Sequence, residues 1–247
     1  MSPNTFWDIN DGQRDRYAAF AEWEARWSQQ WLSQLGVRSE TVKMDTGTVQ
    51  GYNASYNTDA NAFNARDRSR TDNNWDMTAL SRYTPDSSKA YEFGYARKTR
   101  SPNLYERYTW STGGMAMNMI NMVGDGNGYV GNMDLKPEVA NTLSATAAWH
   151  DAEQQNWGLK ITPYYTYVQD YINARRCSGA TAGVCTSANQ AATTGFVFLK
   201  YVNQDARLYG LDFSGYFPLA NNTGYGSFTA TGMLNYVNGK TVSGTDD

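Results

Sequence analysis

Several segments of this chain alternate apolar and polar residues, and large aromatic residues stand at both ends of each apolar face. A period of two is the side-chain period of a β-strand. Trp75 and Tyr83 bound one such face, and a strand of that length tilted by about 40° rises about 20 Å. This height is close to the apolar band of a transmembrane β-barrel, whose two interfaces carry aromatic girdles. The other faces of this kind are Tyr17-Ala19-Ala21-Trp23-Ala25-Trp27, Trp157-Leu159-Ile161-Pro163-Tyr165-Tyr167 and Tyr209-Leu211-Phe213-Gly215-Phe217.

The composition favours membrane-crossing strands over membrane-crossing helices. The mean hydropathy is -0.65, and no stretch approaches the roughly 18 uninterrupted apolar residues of a transmembrane helix. Barrel strands are only half apolar, so a hydrophilic average is compatible with them. The 18 Tyr and 8 Trp suit two aromatic girdles. A formal net charge of -3 argues against a nucleic-acid-binding protein, which would need a basic face.

The alternating segments predict eight antiparallel strands in four hairpins. Short connections alternate with long ones, as they do between the periplasmic and external rims of outer-membrane barrels. The short connections are therefore predicted to face the periplasm. The long ones cover 44–73, 100–140 and 173–204. The predicted strands lie near 14–28, 31–43, 74–84, 89–99, 141–150, 157–172, 205–217 and 226–239.

Two other architectures share part of this pattern. A soluble β-sandwich or propeller also alternates, but it has no reason to place aromatics at both ends of a stripe. A closed eight-stranded barrel would have both termini on the long-loop side. The polar start at residues 1–4 lacks signal-peptide features, and residues 244–247 end in a loop. We therefore expect a slice of a larger barrel with both ends internal to a longer chain.

Three further segments carry a recognisable order of residues. Arg100-Ser101-Pro102-Asn103-Leu104-Tyr105-Glu106 stands at a predicted strand end, Gly131-Asn132-Met133-Asp134-Leu135-Lys136-Pro137-Glu138 precedes the next strand, and Asn203 is followed by Ala206, Gly210 and Asp212. In pattern, order and spacing these segments resemble the Arg-x-Pro-Asn-Leu-x-Glu, Asn-Pro-x-Leu-x-Pro-Glu and Asn…Ala-x-x-x-Gly-x-Glu segments of TonB-dependent outer-membrane receptors. Met133 stands where that family usually has Pro, and Asp212 where it has Glu.

The resemblance implies an all-β fold, a transmembrane antiparallel β-barrel of 22 strands closed by a plug, in the outer membrane of a Gram-negative cell. Residues 1–247 would be part of the barrel domain, without the plug, the TonB-contacting segment or the C-terminal strands. It implies active import and no enzyme activity, and the sequence shows no nucleophile–base–acid set. The expected partners are outer-membrane lipid, the receptor's own plug and the TonB complex. No resident cofactor is implied.

Methionines are concentrated in the second long connection. Met115, Met117, Met119, Met122 and Met133 are five of the nine methionines of the chain. Thioethers prefer Cu(I) to hard cations, and Met-x-Met-x-Met spacing would place several sulfurs on one side of an extended segment. Within the family this loop resembles the copper-receptor subgroup, so the predicted transported ligand is copper. The alternative is that these methionines only fill irregular packing.

Other residues suggest further contacts in the long connections. Cys177 and Cys185 are the only cysteines, and they are predicted to form a disulfide in an oxidising compartment. Tyr105, Tyr108 and Trp110 are candidates to hold an organic chelate if the receptor imports an iron siderophore instead of copper. A passive porin or an adhesin is the alternative from a different class.

Polar residues outside the loops have simpler expected roles. Asp125-Gly126-Asn127-Gly128 is read as a turn rather than a calcium loop, and His150 is read as a solvated polar residue. A charged wall facing the barrel interior is predicted from Glu22, Glu24, Arg26, Arg38 and Glu40.

Overall fold

The computed structural model describes residues 5–121, 123–153, 156–179, 183–186 and 197–242. Eight long strands form one antiparallel sheet in chain order, and a ninth, short strand pairs in parallel with the start of β8. The all-β prediction and the eight long strands are confirmed. The strands are β1 (Gln13–Arg26), β2 (Trp31–Asp45), β3 (Arg70–Asp86), β4 (Lys89–Arg100), β5 (Gly128–Val130), β6 (Glu138–His150), β7 (Gly158–Arg176), β8 (Phe198–Thr223) and β9 (Gly226–Thr241).

The register of the sheet brings the apolar faces of neighbouring strands into line. Partners in an antiparallel pair point to the same side of the sheet, so a single row can be followed across it. The residues of this outward row and of its neighbours are largely exposed, which leaves a continuous apolar surface on one side of the sheet. One row reads Trp23, Leu35, Ala79, Tyr95, Leu143, Tyr165 and Tyr209.

The opposite face of the sheet is polar and cross-linked by side chains. Thr142 and Thr146 on β6 hydrogen-bond to Thr166 and Thr162 on β7, at 2.8 and 2.9 Å between hydroxyl oxygens. A cluster of charges lies on the same face, in which Arg16 and Arg38 both donate to the buried carboxylate of Glu40 and Arg38 also reaches Asp76. The residues predicted for the charged wall lie on this face.

Three strands are longer than the alternating pattern predicts. β3 begins at Arg70 rather than near 74, β7 continues to Arg176, and β8 already begins at Phe198. The predicted bounds followed the apolar stripe, which ends before the strand does. The backbone ladder continues beyond it because cross-strand hydrogen bonds do not require apolar side chains. The long loops are correspondingly shorter than predicted.

Short helices occupy the long connections. A 3-10 helix (Ala54–Tyr56) and α1 (Asn57–Asn64) lie between β2 and β3, and α2 (Leu104–Tyr108) and α3 (Gly114–Met119) lie between β4 and β5. Within the described residues, no helix is long and apolar enough to cross a membrane. All three long connections leave the sheet at one end, opposite the short turns.

Candidate functional site

The long connections pack against one another at that end. We call this body the loop cluster and define it as the described parts of residues 46–69, 101–137 and 177–197 together with the N-terminal segment 5–12. Its largest apolar core joins β2 to the loops through Met44, Phe63, Tyr108, Trp110 and Met133. The loops therefore form a folded layer at one end of the sheet, in which a ligand site can be held in place.

Two of the three family-like segments meet in a single charged network. The Arg100 guanidinium donates to both carboxylate oxygens of Glu138, at 2.7 and 3.2 Å, and to both oxygens of Glu106, at 3.1 and 3.0 Å. Asn103 and Glu106 form a reciprocal capping box at the start of α2. Glu138 also accepts from the backbone N–H of Ile172. This network ties α2 to β4, β6 and β7, a role that spacing along the chain did not reveal.

The third family-like segment fixes the return of the second loop. The Asn203 side chain accepts from the backbone N–H of Lys136 at 2.8 Å and donates to the Lys136 carbonyl at 3.0 Å. It also donates to the carbonyl of Asp170, at 2.6 Å, where Asp170 adopts a positive φ in a β-bulge. The side-chain amide of Asn203 thus holds the backbone at Lys136 and at Asp170 in place.

Two of the three aromatic candidates are structural. Tyr108 is completely buried, and its hydroxyl donates to the Arg68 carbonyl at 2.7 Å; burial raises the pKa of this phenol to about 12. Trp110 is also buried, stacks on Phe6 and donates from Nε1 to the Trp7 carbonyl at 2.9 Å. Only Tyr105 keeps an exposed ring. Contact of these residues with an organic chelate therefore stays a prediction.

The methionines are divided by a short helix that the sequence interpretation missed. The prediction of an extended segment with aligned sulfurs is wrong, because residues 114–119 form α3. In a helix, residues four apart share a face, so Met115 and Met119 lie together and are 52% and 64% exposed. Met117 points to the opposite side and is fully buried. Met122 lies outside the described residues.

The buried methionines belong to two separate cores. Met117 packs with Val130 and the disulfide that joins Cys177 to Cys185, and its Sδ lies 3.8 Å from Cys185 Sγ. Met133 packs in the other core, beside Met44 and Tyr108. The four described candidates therefore do not converge on one point. Among the described residues, no group of three or more His, Cys, Asp or Glu side chains is arranged to hold a metal ion either.

The segment read as a turn is held by its own aspartate. Asp125 accepts from the backbone N–H of Asn127 at 2.9 Å and from the hydroxyl of Tyr129 at 2.5 Å. These hydrogen bonds, the Tyr129 hydroxyl first, lower the pKa of the Asp125 carboxyl. Gly124 and Gly126 supply the positive φ angles that the bend requires. Both oxygens of the Asp125 carboxylate thus accept hydrogen bonds from residues of the same loop.

A pocket of about 280 Å³ opens between the loops. Trp110 and Met133 form part of its apolar wall, and the disulfide forms another part. Arg66 and Lys200 contribute positive charge to its lining and Asp59 contributes a carboxylate, and Arg66 also pairs with Asp134 at 2.5 Å. The loop cluster thus offers two distinct candidate surfaces, the exposed methionine pair on α3 and this pocket.

A profile described as TonB dependent receptor-like, beta-barrel matches residues 1–247, which is the whole chain. The chain belongs to the TonB-dependent receptor family. Barrels of this family are outer-membrane proteins of Gram-negative cells and serve transport rather than catalysis. The predicted outer-membrane localisation is confirmed.

Solved structures of similar fold include receptors for different ligands. The copper transporter OprC is 18% identical with a TM-score of 0.62, over 93% of this chain and 29% of its own. The siderophore receptor PirA from Pseudomonas aeruginosa is 16% identical with a TM-score of 0.53, over 93% of this chain and 44% of its own. The alcaligin outer-membrane receptor FauA from Bordetella pertussis is 11% identical with a TM-score of 0.53, over 95% of this chain and 32% of its own. Comparison with curated protein sequences finds no match.

These identities establish the fold alone, and this TonB-dependent receptor chain spans less than half the length of the structures it resembles. The substrate has to be argued from the loop residues.

Proposed function

We propose that the full-length receptor imports copper and that Met115 and Met119 form a capture pair for Cu(I) at its external surface. Methionine is usually among the most buried residue types, yet these two thioethers are exposed on one face of α3. Soft sulfur ligands favour Cu(I) over the hard cations of the medium. This exposed pair is the observation that carries the proposal.

The solved structures of similar fold include a receptor for this ligand. Of the three receptors compared above, the copper transporter OprC has the highest TM-score. Met117 and Met133 would contribute packing rather than ligation, because both are buried in separate apolar cores. We assign copper the role of transported substrate and not that of a resident cofactor.

The proposal is tested by copper accumulation in cells that depend on the full-length receptor under copper limitation. Met115→Leu with Met119→Leu removes both exposed sulfurs while keeping bulk and apolarity, and such swaps usually cost less than about 1.5 kcal/mol. Met117→Leu is the matched control, since it removes a buried sulfur from the same helix. Reduced copper accumulation in the double variant alone supports capture, whereas accumulation at the wild-type rate refutes it.

A second candidate is the import of an anionic iron chelate, and the pocket between the loops favours it. Lys200 would neutralise a carboxylate or catecholate group beside the Trp110 ring. Lys200→Gln should then reduce uptake of the iron chelate and leave copper accumulation unchanged. Unchanged uptake of the iron chelate in the Lys200→Gln variant would contradict this second candidate. Membership of this receptor family argues against the passive porin and the adhesin.

We further propose that the rest of the receptor supplies the plug, the segment that contacts the TonB complex and the remaining strands of a 22-stranded wall. In support, β1 and β9 each pair on only one side within the described residues. The charged cluster around Glu40 would then face the plug. Energy dependence of uptake, abolished by loss of TonB, is the corresponding test.

A further inference from the structure

Helix α3 is too short to be stable without contacts from other segments. It has six residues, and its N-cap, Gly113, makes no side-chain hydrogen bond to the first turn. Helices of this length are marginal in water, and glycine is a weak helix former. In the helix, Met115 and Met119 stand about 6 Å apart along the axis, whereas in an extended segment they would be about 13 Å apart. The exposed methionine pair therefore depends on the segment that holds α3 in place.

A ring closed by the disulfide contacts α3 at two points. We call the described residues of 177–185 the cystine ring. The backbone N–H of Val184 donates to the carbonyl of Thr112 at 2.8 Å, immediately before the N-cap of α3. On the buried side of the helix, Met117 packs on the disulfide, and its Sδ lies 3.8 Å from Cys185 Sγ. The cystine ring thus holds both the beginning and the buried side of the same helix.

The fit between the cystine ring and Thr112 is close. Gly183 has a φ of +72° and lies directly against the Thr112 backbone and hydroxyl, which leave no room for a Cβ atom. Asp59 accepts hydrogen bonds from the N–H and the hydroxyl of Thr112, at 2.8 and 2.6 Å, and so fixes the other side of that residue. The cystine ring is therefore the contact on the side of Thr112 that continues into α3.

The disulfide connects this contact to the sheet. Cys177 follows the last residue of β7, and its N–H donates to the Phe198 carbonyl on β8 at 3.0 Å. The bond to Cys185 is the cross-link between this fixed point and the half of the ring that contacts Thr112. When the cross-link is broken, the two halves are no longer held together and the segment gains conformational freedom.

The disulfide is reached from solvent through the pocket between the loops, which Cys177, Cys185 and Lys200 all line. A thiolate that enters attacks one sulfur, forms a mixed disulfide and releases the other cysteine as a thiolate. A second small thiol then completes the exchange, which leaves two protein thiols and one disulfide of the small thiol. The two protons of the small thiols pass to the cysteines. A nearby cation such as Lys200 favours the thiolate forms on which this exchange depends.

We propose that the cystine ring is a redox-sensitive clamp on α3. With the disulfide closed, α3 is helical and presents Met115 and Met119 together. Reduction by a small thiol in the medium opens the ring, removes the support under Met117 and lets the helix unfold. The consequence for transport rests on the proposed capture of Cu(I) by the methionine pair, since the reduced receptor would then capture copper poorly.

Hydrogen exchange of the full-length receptor in detergent, measured by mass spectrometry, tests the clamp. Amides of residues 114–119 should exchange at least about tenfold faster after treatment with dithiothreitol, because the cross-link no longer restricts the open state. Amides of β6 and β7 should keep their rates. Cys177→Ser with Cys185→Ser should match the reduced wild type and show no response to the thiol. Equal exchange of residues 114–119 in the oxidised and reduced receptors would overturn the proposal.

Two glycine substitutions separate the contact with Thr112 from the disulfide itself. Gly183→Ala introduces a Cβ where Thr112 leaves no space, and it should speed the exchange of α3 while the disulfide stays intact. Gly179→Ala is the matched control, because Gly179 lies in the same ring with a φ of +78° and has open space around it. Equal exchange of α3 in these two variants would show that the contact with Thr112 does not hold the helix.

Copper accumulation distinguishes the clamp from the capture proposal. If both are correct, Cys177→Ser with Cys185→Ser should speed exchange at α3 and lower copper accumulation, while heat-modifiable migration shows an intact barrel. Faster exchange with copper accumulation at the wild-type rate would establish the clamp and refute capture by the methionine pair. Slow exchange at α3 in this variant would overturn the clamp whatever the copper accumulation.

Discussion

Arg107 forms a two-point ion pair with Asp72, at 3.1 and 3.2 Å between guanidinium nitrogens and carboxylate oxygens, and the arginine side chain is only 1% exposed. Its Nη2 also donates to the Leu135 carbonyl at 2.7 Å. This arginine therefore joins α2, β3 and the end of the second loop at one buried point. The loop cluster depends on it more than on its surface ion pairs.

Arg107→Ala should destabilise the loop cluster by about 3–5 kcal/mol, because it leaves the Asp72 carboxylate without its buried partner. Arg66→Ala is the control, since the Arg66–Asp134 pair is exposed and such pairs contribute about 1 kcal/mol or less. Limited proteolysis of the loops in the membrane-inserted receptor distinguishes the two. Equal cleavage rates for both variants would contradict the assigned role of Arg107.

The docking of the N-terminal segment should depend on pH through Asp8. Burial raises the pKa of this carboxyl to about 7, although a hydrogen bond from the Trp110 backbone lowers it. One carboxylate oxygen, Oδ2, is buried and has no hydrogen-bond partner among the described residues. The folded state binds the proton more tightly than the unfolded state does, so stability falls as pH rises from about 4 through 7.

Hydrogen exchange of residues 5–12 should therefore be slower at pH 5.5 than the intrinsic pH effect explains, and the excess protection should fade by pH 8.5. Asp8→Asn removes the ionisation and should make the protection independent of pH. A wild-type protein whose corrected protection is the same at both pH values would disprove the role of Asp8.

The two faces of β2 and β3 should differ in how much a positive charge destabilises them. Leu35 lies on the exposed apolar face and its register partner is Ala79, whereas Leu80 pairs with Gln34 on the polar face. Leu35→Lys should cost about 2–4 kcal/mol if it lies near the bilayer midplane. Leu80→Lys should cost less, because Glu24 and Gln34 lie on its side of the sheet. Urea unfolding of the receptor in lipid vesicles measures both; a larger loss for Leu80→Lys would reverse the assignment of faces.

The disulfide between Cys177 and Cys185 should be oxidised in the receptor recovered from the outer membrane. Its sequence separation of 8 residues corresponds to about 2.5 kcal/mol on the chain-entropy model. Cys177→Ser with Cys185→Ser should loosen the packing around Met117 and leave the barrel intact, as judged by heat-modifiable migration. Alkylation of two thiols in native membranes, measured by intact mass, would contradict this expectation.

The sequence by itself determined the wall of this protein. Strand pairing requires only a side-chain period of two and a matched register. Both can be recognised in the sequence, because the apolar stripes that contain Leu35, Ala79 and Tyr95 align as neighbours in the sheet. The aromatic ends of each stripe indicated the membrane band, and the ordered segments from Arg100 to Asp212 indicated the family. The ends of β3, β7 and β8 were missed because backbone pairing continues past the stripe.

Only the tertiary structure decided which loop residues can meet a ligand. Met115 and Met117 look equivalent in the sequence. Because both lie in the six-residue helix α3, Met115 is exposed to solvent and Met117 packs against the disulfide. Tyr105 and Tyr108 are separated in the same way by α2. A short helix within a long connection is stabilised by contacts from distant segments rather than by local propensity. The burial of its side chains is therefore set by those segments, which the local pattern does not contain.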